Sequence, residues 1–356
     1  MPIDGKPVKG RGAADQVPNR FLKRHYGVAH WEGIDEVDDD VHPTKYVIEN
    51  PKTIINRVDS PDLGFNWSLN PYQGCEHGCA YCYARPTHEY WGYSAGLDFE
   101  RVIIVKRNAP ELLEKALRHP KWSGESITIS GATDPYQPIE REERITRRVL
   151  EKLFEFHNAC GIITKNALVL RDLDLLREMA AEKLVSVAIS LTTLDEELRR
   201  KMEPRTSTGL NRLKTIETLS NAGVPVWTMI APIIPGLNDK EVPALLKAAA
   251  EAGAVGAGYT VLRTNGAVEN VFRSWLQHHY PERAAKVIAQ TKALHMGSMS
   301  DQKSGRRMKG DGAFAENIRR VFSVFRKRYF KDHGFPRMDT AKFKRPPQGQ
   351  LELFGQ

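Results

Sequence analysis

From residue 65 to residue 262 the chain alternates short apolar runs with longer stretches whose apolar positions recur every three or four residues. The short runs are Phe65–Leu69, Val102–Lys106 (VIIVK), Ser126–Ser130 (SITIS), Gly161–Thr164 (GIIT), Val185–Leu191 (VSVAISL), Val224–Ala231 and Ala257–Leu262. Their length and β-branched content predict strands. Between them, helices are predicted over Pro110–Arg118, Asp172–Glu182, Leu210–Ala222 and Val242–Ala252, and Ile145, Val149, Leu150, Leu153 and Phe154 mark one face of another. Gly223, followed by Pro225, is a stop signal for the helix ending at Ala222. About six strand–helix units imply a parallel sheet with right-handed crossovers. The predicted class is α/β, closing as a partial (β/α)6 TIM-like barrel, with a doubly wound open sheet as the alternative.

Outside this region the pattern changes. Residues 1–60 are polar, basic at first and acidic at Asp35–Asp40, with apolar runs only at Tyr46–Ile48 and Ile54–Ile55. They predict an extended, partly disordered arm lying over a core of residues 61–298. Beyond Leu262 the periodicity is helical, over Ala267–His279, Pro281–Leu294 and Phe314–Phe330. Residues 299–333 are expected to form a basic loop and a C-terminal helix, and 334–356 a flexible tail.

An apolar content of 41% with 27% charged residues describes an ordinary soluble chain, and no apolar run reaches the ~18–20 residues that span a bilayer. No signal-peptide pattern opens the sequence, so a reducing cytoplasm is the expected compartment. The formal net charge of +8 adds an expectation of an anionic partner, DNA or RNA. The candidate surfaces are the loop with Lys303, Arg306, Arg307 and Lys309 and the helix with Arg319, Arg320, Arg326, Lys327 and Arg328.

Three of the four cysteines, Cys75, Cys79 and Cys82, stand C-x3-C-x2-C on a glycine-bearing loop after the first core strand. Three clustered thiols and one remote thiol make a poor disulfide set. Zinc held by these cysteines and His77 satisfies a ligand count of four, and a redox-only cluster is a further alternative. Three thiolates on a four-iron cluster leave one iron free for an exogenous ligand. With Tyr81 just before the third cysteine, the motif resembles the radical S-adenosylmethionine (SAM) superfamily. That resemblance implies a [4Fe–4S] cluster on Cys75, Cys79 and Cys82, with SAM bound at the free iron. It also implies reductive cleavage to a 5′-deoxyadenosyl radical, and an electron donor such as flavodoxin or ferredoxin.

Polar residues gather at the carboxyl ends of successive strands, where parallel α/β folds collect their chemistry. They include Ser130, Thr133, Asp134, Tyr136 and Gln137, then Lys165 and Asn166, then Ser190, Thr192 and Thr193, then Asn238 and Asp239. Helix capping explains any one of them; four strand ends alike suit a zwitterionic nucleoside cofactor. The blocks Thr133-Asp134-Pro135-Tyr136-Gln137-Pro138, Thr164-Lys165-Asn166 and Ser190–Asp195 with Glu203-Pro204-Arg205 are similar to the spore-photoproduct-lyase-related branch of that superfamily. By this resemblance Tyr81 lies beside the cluster, and Thr133 and Asp134 occupy the place of the SAM amino-group turn. Lys165 meets the SAM carboxylate, and Ser190 the ribose or carboxylate.

The lyase of that branch uses a separate cysteine as hydrogen donor. Cys160, at the start of a predicted strand, faces the wrong end of a barrel and reads as a buried structural thiol. Tyr83 and Tyr136 are the candidate hydrogen relays in its place. The peptide Gln350-Leu351-Glu352-Leu353-Phe354 is similar to the bacterial sliding-clamp-binding pentapeptide, which makes Gln350, Leu351, Leu353 and Phe354 candidate partner-binding residues. The favoured reading is a radical SAM enzyme acting on a nucleic-acid or nucleotide-like substrate in DNA repair or modification. Its rivals are a radical SAM enzyme acting on a protein or small molecule, and a non-enzymatic metal protein docking on the replication clamp.

Overall fold

The computed structural model describes residues 10–21, 43–330, 334–335 and 337–347. The tail residues Gln350, Leu351, Leu353 and Phe354 lie outside them. The described strands are β1 (Lys45–Ile48), β2 (Ile55–Arg57), β3 (Trp67–Leu69), β4 (Tyr72–Gln73), β5 (Val102–Val105), β6 (Ile127–Ile129), β7 (Cys160–Thr164), β8 (Val185–Ser190), β9 (Val226–Ile233) and β10 (Gly256–Val261).

Six strands, β3–β6–β7–β8–β9–β10, lie side by side in chain order and all run parallel, with β2 antiparallel on the outside of β3. A doubly wound sheet reverses its strand order at a switch point, and this one never does. Sequential order with crossovers of one hand puts every helix on the same face and curls the sheet into a barrel. The barrel is partial, because β10 and β2 end the sheet without pairing to each other.

The register explains which residues are where. Leu69, Ile129, Ile162, Val187 and Val226 are successive cross-strand partners and form one buried row. They pack with Leu113, Val149, Leu153, Leu176, Leu219 and Leu245 from the helices that follow the strands. Burying each such side chain contributes about 1.5–3 kcal/mol. The alternate row, Ser68–Thr128–Gly161–Ser186, is small or polar and faces the barrel interior.

One sequence expectation changes. The run Val102–Lys106 is a strand, but it is not part of the barrel: β5 sits between β1, parallel, and β4, antiparallel, in a separate three-stranded sheet beside the cysteine loop. The arm is docked over residues 10–21, where Gly12 and Ala13 donate their amides to the buried Glu100 carboxylate at 3.0 and 2.8 Å, and Ala13 and Val17 are buried. No helix among the described residues is long and apolar enough to cross a membrane.

Candidate active site and cofactor cradle

The cysteine loop leaves the barrel through β3 and β4 and is held from several sides. Arg85, fully buried, donates to the Cys79 carbonyl through Nε (3.1 Å) and Nη2 (2.8 Å) and to the Ala95 and Gly96 carbonyls through Nη1, and it pairs with buried Glu100. Gly74 has φ +77° and lies against the Val102 and Phe99 carbonyls, so a side chain there meets backbone. Glu76 accepts from the Ile139 amide (2.9 Å) and the Tyr46 hydroxyl (3.1 Å), while its own amide donates to Gln137 Oε1 (2.9 Å).

The residues after β6 serve this loop more than they serve a ligand. Thr133 Oγ1 donates to the Gly74 carbonyl at 2.6 Å and accepts from Gln137 Nε2 at 2.9 Å. Asp134 accepts from the Tyr136 amide and Thr164 Oγ1 on one oxygen and from the Lys165 amide on the other, with His77 Nδ1 at 3.3 Å. Thr133 and Asp134 therefore brace the loop instead of offering open acceptors to a SAM ammonium. Ser130 and Gly131 take φ +147° and +120°, a strained corner, and the half-buried Gly131–Ala132 backbone is the part of this turn that a ligand can reach.

His77 is fully buried and is turned onto Asp134 and Asn166 Nδ2, 3.1 Å from its Nε2. Burial pulls its pKa down, but Asp134 and then Cys75 outweigh it and push it up to about 10. A histidine held this way does not complete a zinc set. Among the described residues no three His, Cys, Asp or Glu side chains are arranged around a single metal ion. Burial raises the Cys79 thiol well above its ordinary value, with Glu203 adding to it, and burial with Cys75 lifts Cys82 to about 11. Loading a metal on these thiols therefore releases protons. Cys160 is buried at the first position of β7, the opposite end of a parallel strand from this loop.

A second polar knot lies under Tyr81. Glu203, fully buried, accepts from the Tyr81 hydroxyl and from Thr192 Oγ1 (2.8 Å), pairs with Arg212 at 2.5 Å, and has Lys165 Nζ at 3.4 Å. Burial pushes its carboxyl up; Arg212, then Lys165, overcome this and hold it well below the usual carboxylate range. Lys165 Nζ also lies 5.7 Å from the Tyr81 ring centre. Arg212 donates to the carbonyl of Ser190, the last residue of β8. The structure thus brings Tyr81, Lys165 and Ser190 together beside the loop.

The two tyrosine candidates separate. Tyr136 is wholly buried in the core with its hydroxyl on Asp172 Oδ2 at 3.0 Å, closed off from the barrel mouth. Tyr83 is 56% exposed, and the field of Arg263, the second residue after β10, bears on it. Other polar strand ends are structural: Asn166 caps the turn after β7, and Asn238 stitches the Thr192 and Pro232 carbonyls together.

Residues 69–249 match the Radical SAM superfamily, slightly more than half of the chain. This chain belongs to the radical SAM superfamily. It is 37% identical over 238 residues to an uncharacterized protein of Mycobacterium tuberculosis (strain ATCC 25618 / H37Rv), covering 66% of this chain and 70% of the other. An uncharacterized protein of Methanocaldococcus jannaschii is 31% identical over 190 residues, 53% of this chain and 68% of that one. In fold, the chain resembles spore photoproduct lyase complexed with dinucleoside spore photoproduct, with a TM-score of 0.58 at 17% identity over 80% of this chain and 79% of that one. Radical SAM enzymes use a [4Fe–4S] cluster and SAM, and the thiols Cys75, Cys79 and Cys82, buried or half-buried on a loop pinned by Arg85, fit the cluster as its ligands. When bound, the cluster supplies the electron that cleaves SAM to a 5′-deoxyadenosyl radical.

Sequence reasoning missed Arg85, Glu100 and Arg212 as parts of the site and named Glu203 without giving it a role. Glu203 stands in one of the blocks that carry the family resemblance, and that signal was available. Buried charges otherwise look like surface ones in a sequence.

The family resemblance implies that Lys165, whose Nζ lies 3.4 Å from Glu203, meets the SAM carboxylate. Lys165→Ala is expected to weaken SAM binding by about tenfold or more while iron content stays unchanged, since one charge-assisted contact is lost. Equilibrium binding of SAM to iron-replete protein checks this; unchanged affinity moves the carboxylate elsewhere.

Proposed function

We propose that this radical SAM enzyme acts on a nucleic acid or a nucleotide-like substrate that reaches the radical from the barrel mouth. The observation that carries the reading is Arg263. It follows the last barrel strand, its Nη1 donates to Met308 Sδ at 3.4 Å, its Nε is buried without a hydrogen-bond partner among the described residues, and its charge bears on the open Tyr83. Burial and then Arg307 lower its pKa, which Tyr83, Asp62 and Asp301 offset only in part. An arginine with an unsatisfied N–H takes a phosphate, and an exposed tyrosine takes a base face or relays a hydrogen atom. The similar lyase fold, seen with a dinucleoside photoproduct, supports the same substrate class. Cys160, buried at the far end of β7, does not suit the role of a lyase-type hydrogen donor, so thymine photoproduct reversal is not the reaction proposed.

Affinity for single-stranded DNA or RNA is expected to fall steeply with salt, because phosphate contacts release counterions. Arg263→Gln is expected to weaken binding by about tenfold and to flatten the salt slope by about one ion. Titrations between low and physiological salt read both quantities. No binding at low salt turns the assignment to a protein or small-molecule substrate.

A flavodoxin or ferredoxin is the class of electron donor proposed. Recruitment through Gln350, Leu351, Leu353 and Phe354 to the sliding clamp remains a proposal from sequence alone. Deleting residues 350–356 is expected to abolish clamp pull-down and leave SAM cleavage intact. Loss of folded protein on deletion, with no clamp binding by the full chain, makes the peptide part of the core instead.

A further inference from the structure

Among the described residues the outer edge of β10 has no strand beside it. Residues 303–310 and the helix Gly312–Tyr329 lie against it: the Val261 amide donates to the Met308 carbonyl at 3.0 Å, and Lys309 Nζ to the Tyr259 carbonyl at 2.6 Å. They do not fill the space. A cavity of about 410 Å³ lies between them and β9–β10, within the range of small-ligand sites. Trp227, Tyr259 and Phe322 give it aromatic walls, and Lys309, Arg319 and Arg326 give it charge.

Among the described residues Lys309, Arg319 and Arg326 form no ion pair with a carboxylate. The neighbouring Arg306 and Arg307, by contrast, pair with Asp301 and Asp62. Lys309 lies 3.6 Å from the Tyr259 ring centre, and Arg326 5.8 Å from that of Trp227. Burial, with repulsion from Arg319 and Arg326, pulls Lys309 down to about 8. Tyr259 is 5% exposed, and its hydroxyl faces Arg319.

Room for the indole is built into the strands. A Cβ on Gly256 lies 2.3 Å from the Trp227 ring, and one on Gly258 lies 3.2 Å from the indole nitrogen and from Met229 Sδ. Trp227 is the cross-strand partner of Ala188 and Gly256, while Ser190 partners Met229 and so adjoins Gly258. Two residues along a strand span about 7 Å, so the Trp227 layer lies one step below the Ser190 layer at the open side of the barrel.

A bare anion needs the cations and has no use for the aromatic walls; an apolar ligand needs the walls and is opposed by the cations. A nucleotide unit uses both. We propose that this cavity binds one nucleotide unit, its phosphate among Lys309, Arg319 and Arg326 and its base against Trp227. The site is additional to the Arg263 reading and does not depend on what the radical attacks. The unit is either a free nucleotide or part of a strand.

The test uses the full-length, cluster-loaded protein, with AMP and inorganic phosphate by calorimetry and a labelled single-stranded oligonucleotide by anisotropy. Arg319→Gln/Arg326→Gln removes two exposed, unpaired charges from the cavity; Arg320→Gln/Arg328→Gln removes the same charge from the helix elsewhere. The first pair is expected to weaken binding by about tenfold or more and the second by under about twofold, with iron content and SAM affinity unchanged in both. Trp227→Leu is expected to weaken AMP and oligonucleotide but not inorganic phosphate. AMP binding assigns a free nucleotide and oligonucleotide-only binding assigns a strand; either supports the site. Equal losses in the two double variants, or no binding of any probe, overturn it. Nucleotide binding here without turnover of nucleic acid leaves this site standing and removes the reading of the reaction. Turnover that persists with no binding here does the reverse.

Discussion

Cys75→Ala, purified and reconstituted without oxygen, is expected to carry no stable cluster and to cleave no SAM, against about four irons per chain for the unmodified protein. Cys79→Ala and Cys82→Ala are expected to behave alike, because the three thiols sit on one short loop and no neighbouring group replaces a missing one. His77, the nearest alternative by sequence, is committed to Asp134 and Asn166. Cys160→Ala is expected to keep its iron and its activity. That residue is buried at the start of β7 and makes only packing contacts, so its loss costs a small cavity term. Iron and sulfide analysis with the visible charge-transfer spectrum reads all four variants. Stoichiometric zinc, or a cluster that survives Cys75→Ala, contradicts the ligand set.

Glu203→Gln is expected to have the second-largest effect, on stability and on the cofactor site together. The carboxylate faces Arg212, Lys165, Tyr81 and Thr192 with no exposure to solvent. Neutralising it strands the buried Arg212 guanidinium, and breaking a buried pair from one side costs about 3–5 kcal/mol. Lys165 loses its partner as well, so SAM affinity changes even in molecules that remain folded. The pH dependence follows from the same knot. The folded carboxyl titrates below its unfolded value, so the unfolded chain binds its proton first as pH falls. Its contribution is complete above the ordinary carboxylate range and is lost as pH drops through and below that range. Glu203→Gln is expected to remove this part of the acid limb, leaving a flatter stability profile between neutral and acid pH. Denaturant titrations across that interval check it, and an unchanged slope shows that Glu203 is not the group responsible.

The barrel was legible because its physics is local. Five of the six barrel strands are short apolar runs followed by an amphipathic helix, and the cross-strand row from Leu69 to Val226 is what those runs were built to pair. Val102–Val105 carries the same signature but another partner, since the two-residue strand Tyr72–Gln73 and the arm strand Lys45–Ile48 claim its edges. Nothing in the run itself distinguishes a barrel edge from a side sheet. The helix Glu196–Met202 went unread because it is short and mostly charged; its signal is the cap, Asp195 accepting from the Glu197 and Leu198 amides at 2.9 and 3.1 Å.

At the site, the cysteines were legible from spacing, and the strand-end positions of Lys165 and Ser190 from the run pattern. Thr133 and Asp134 stand in the expected turn, where the structure has them bracing the cysteine loop and the next strand end. A carboxylate that ends up bracing Thr164, the Lys165 amide and the Tyr136 amide looks, in a sequence, the same as one awaiting a ligand. Tyr83 and Tyr136 were likewise equal on paper, and only packing separates an open ring from one sealed against Asp172. The paired charges Arg85–Glu100 and Glu203–Arg212 depend on burial, which no local pattern records.

The measurement that bears most directly on the account is the fate of SAM on the reduced protein. Anaerobically reconstituted protein, mixed with dithionite and SAM, is expected to release 5′-deoxyadenosine and methionine, with none formed by Cys75→Ala or without the reductant. Iron-loaded protein that binds SAM and yields no 5′-deoxyadenosine under reduction contradicts it.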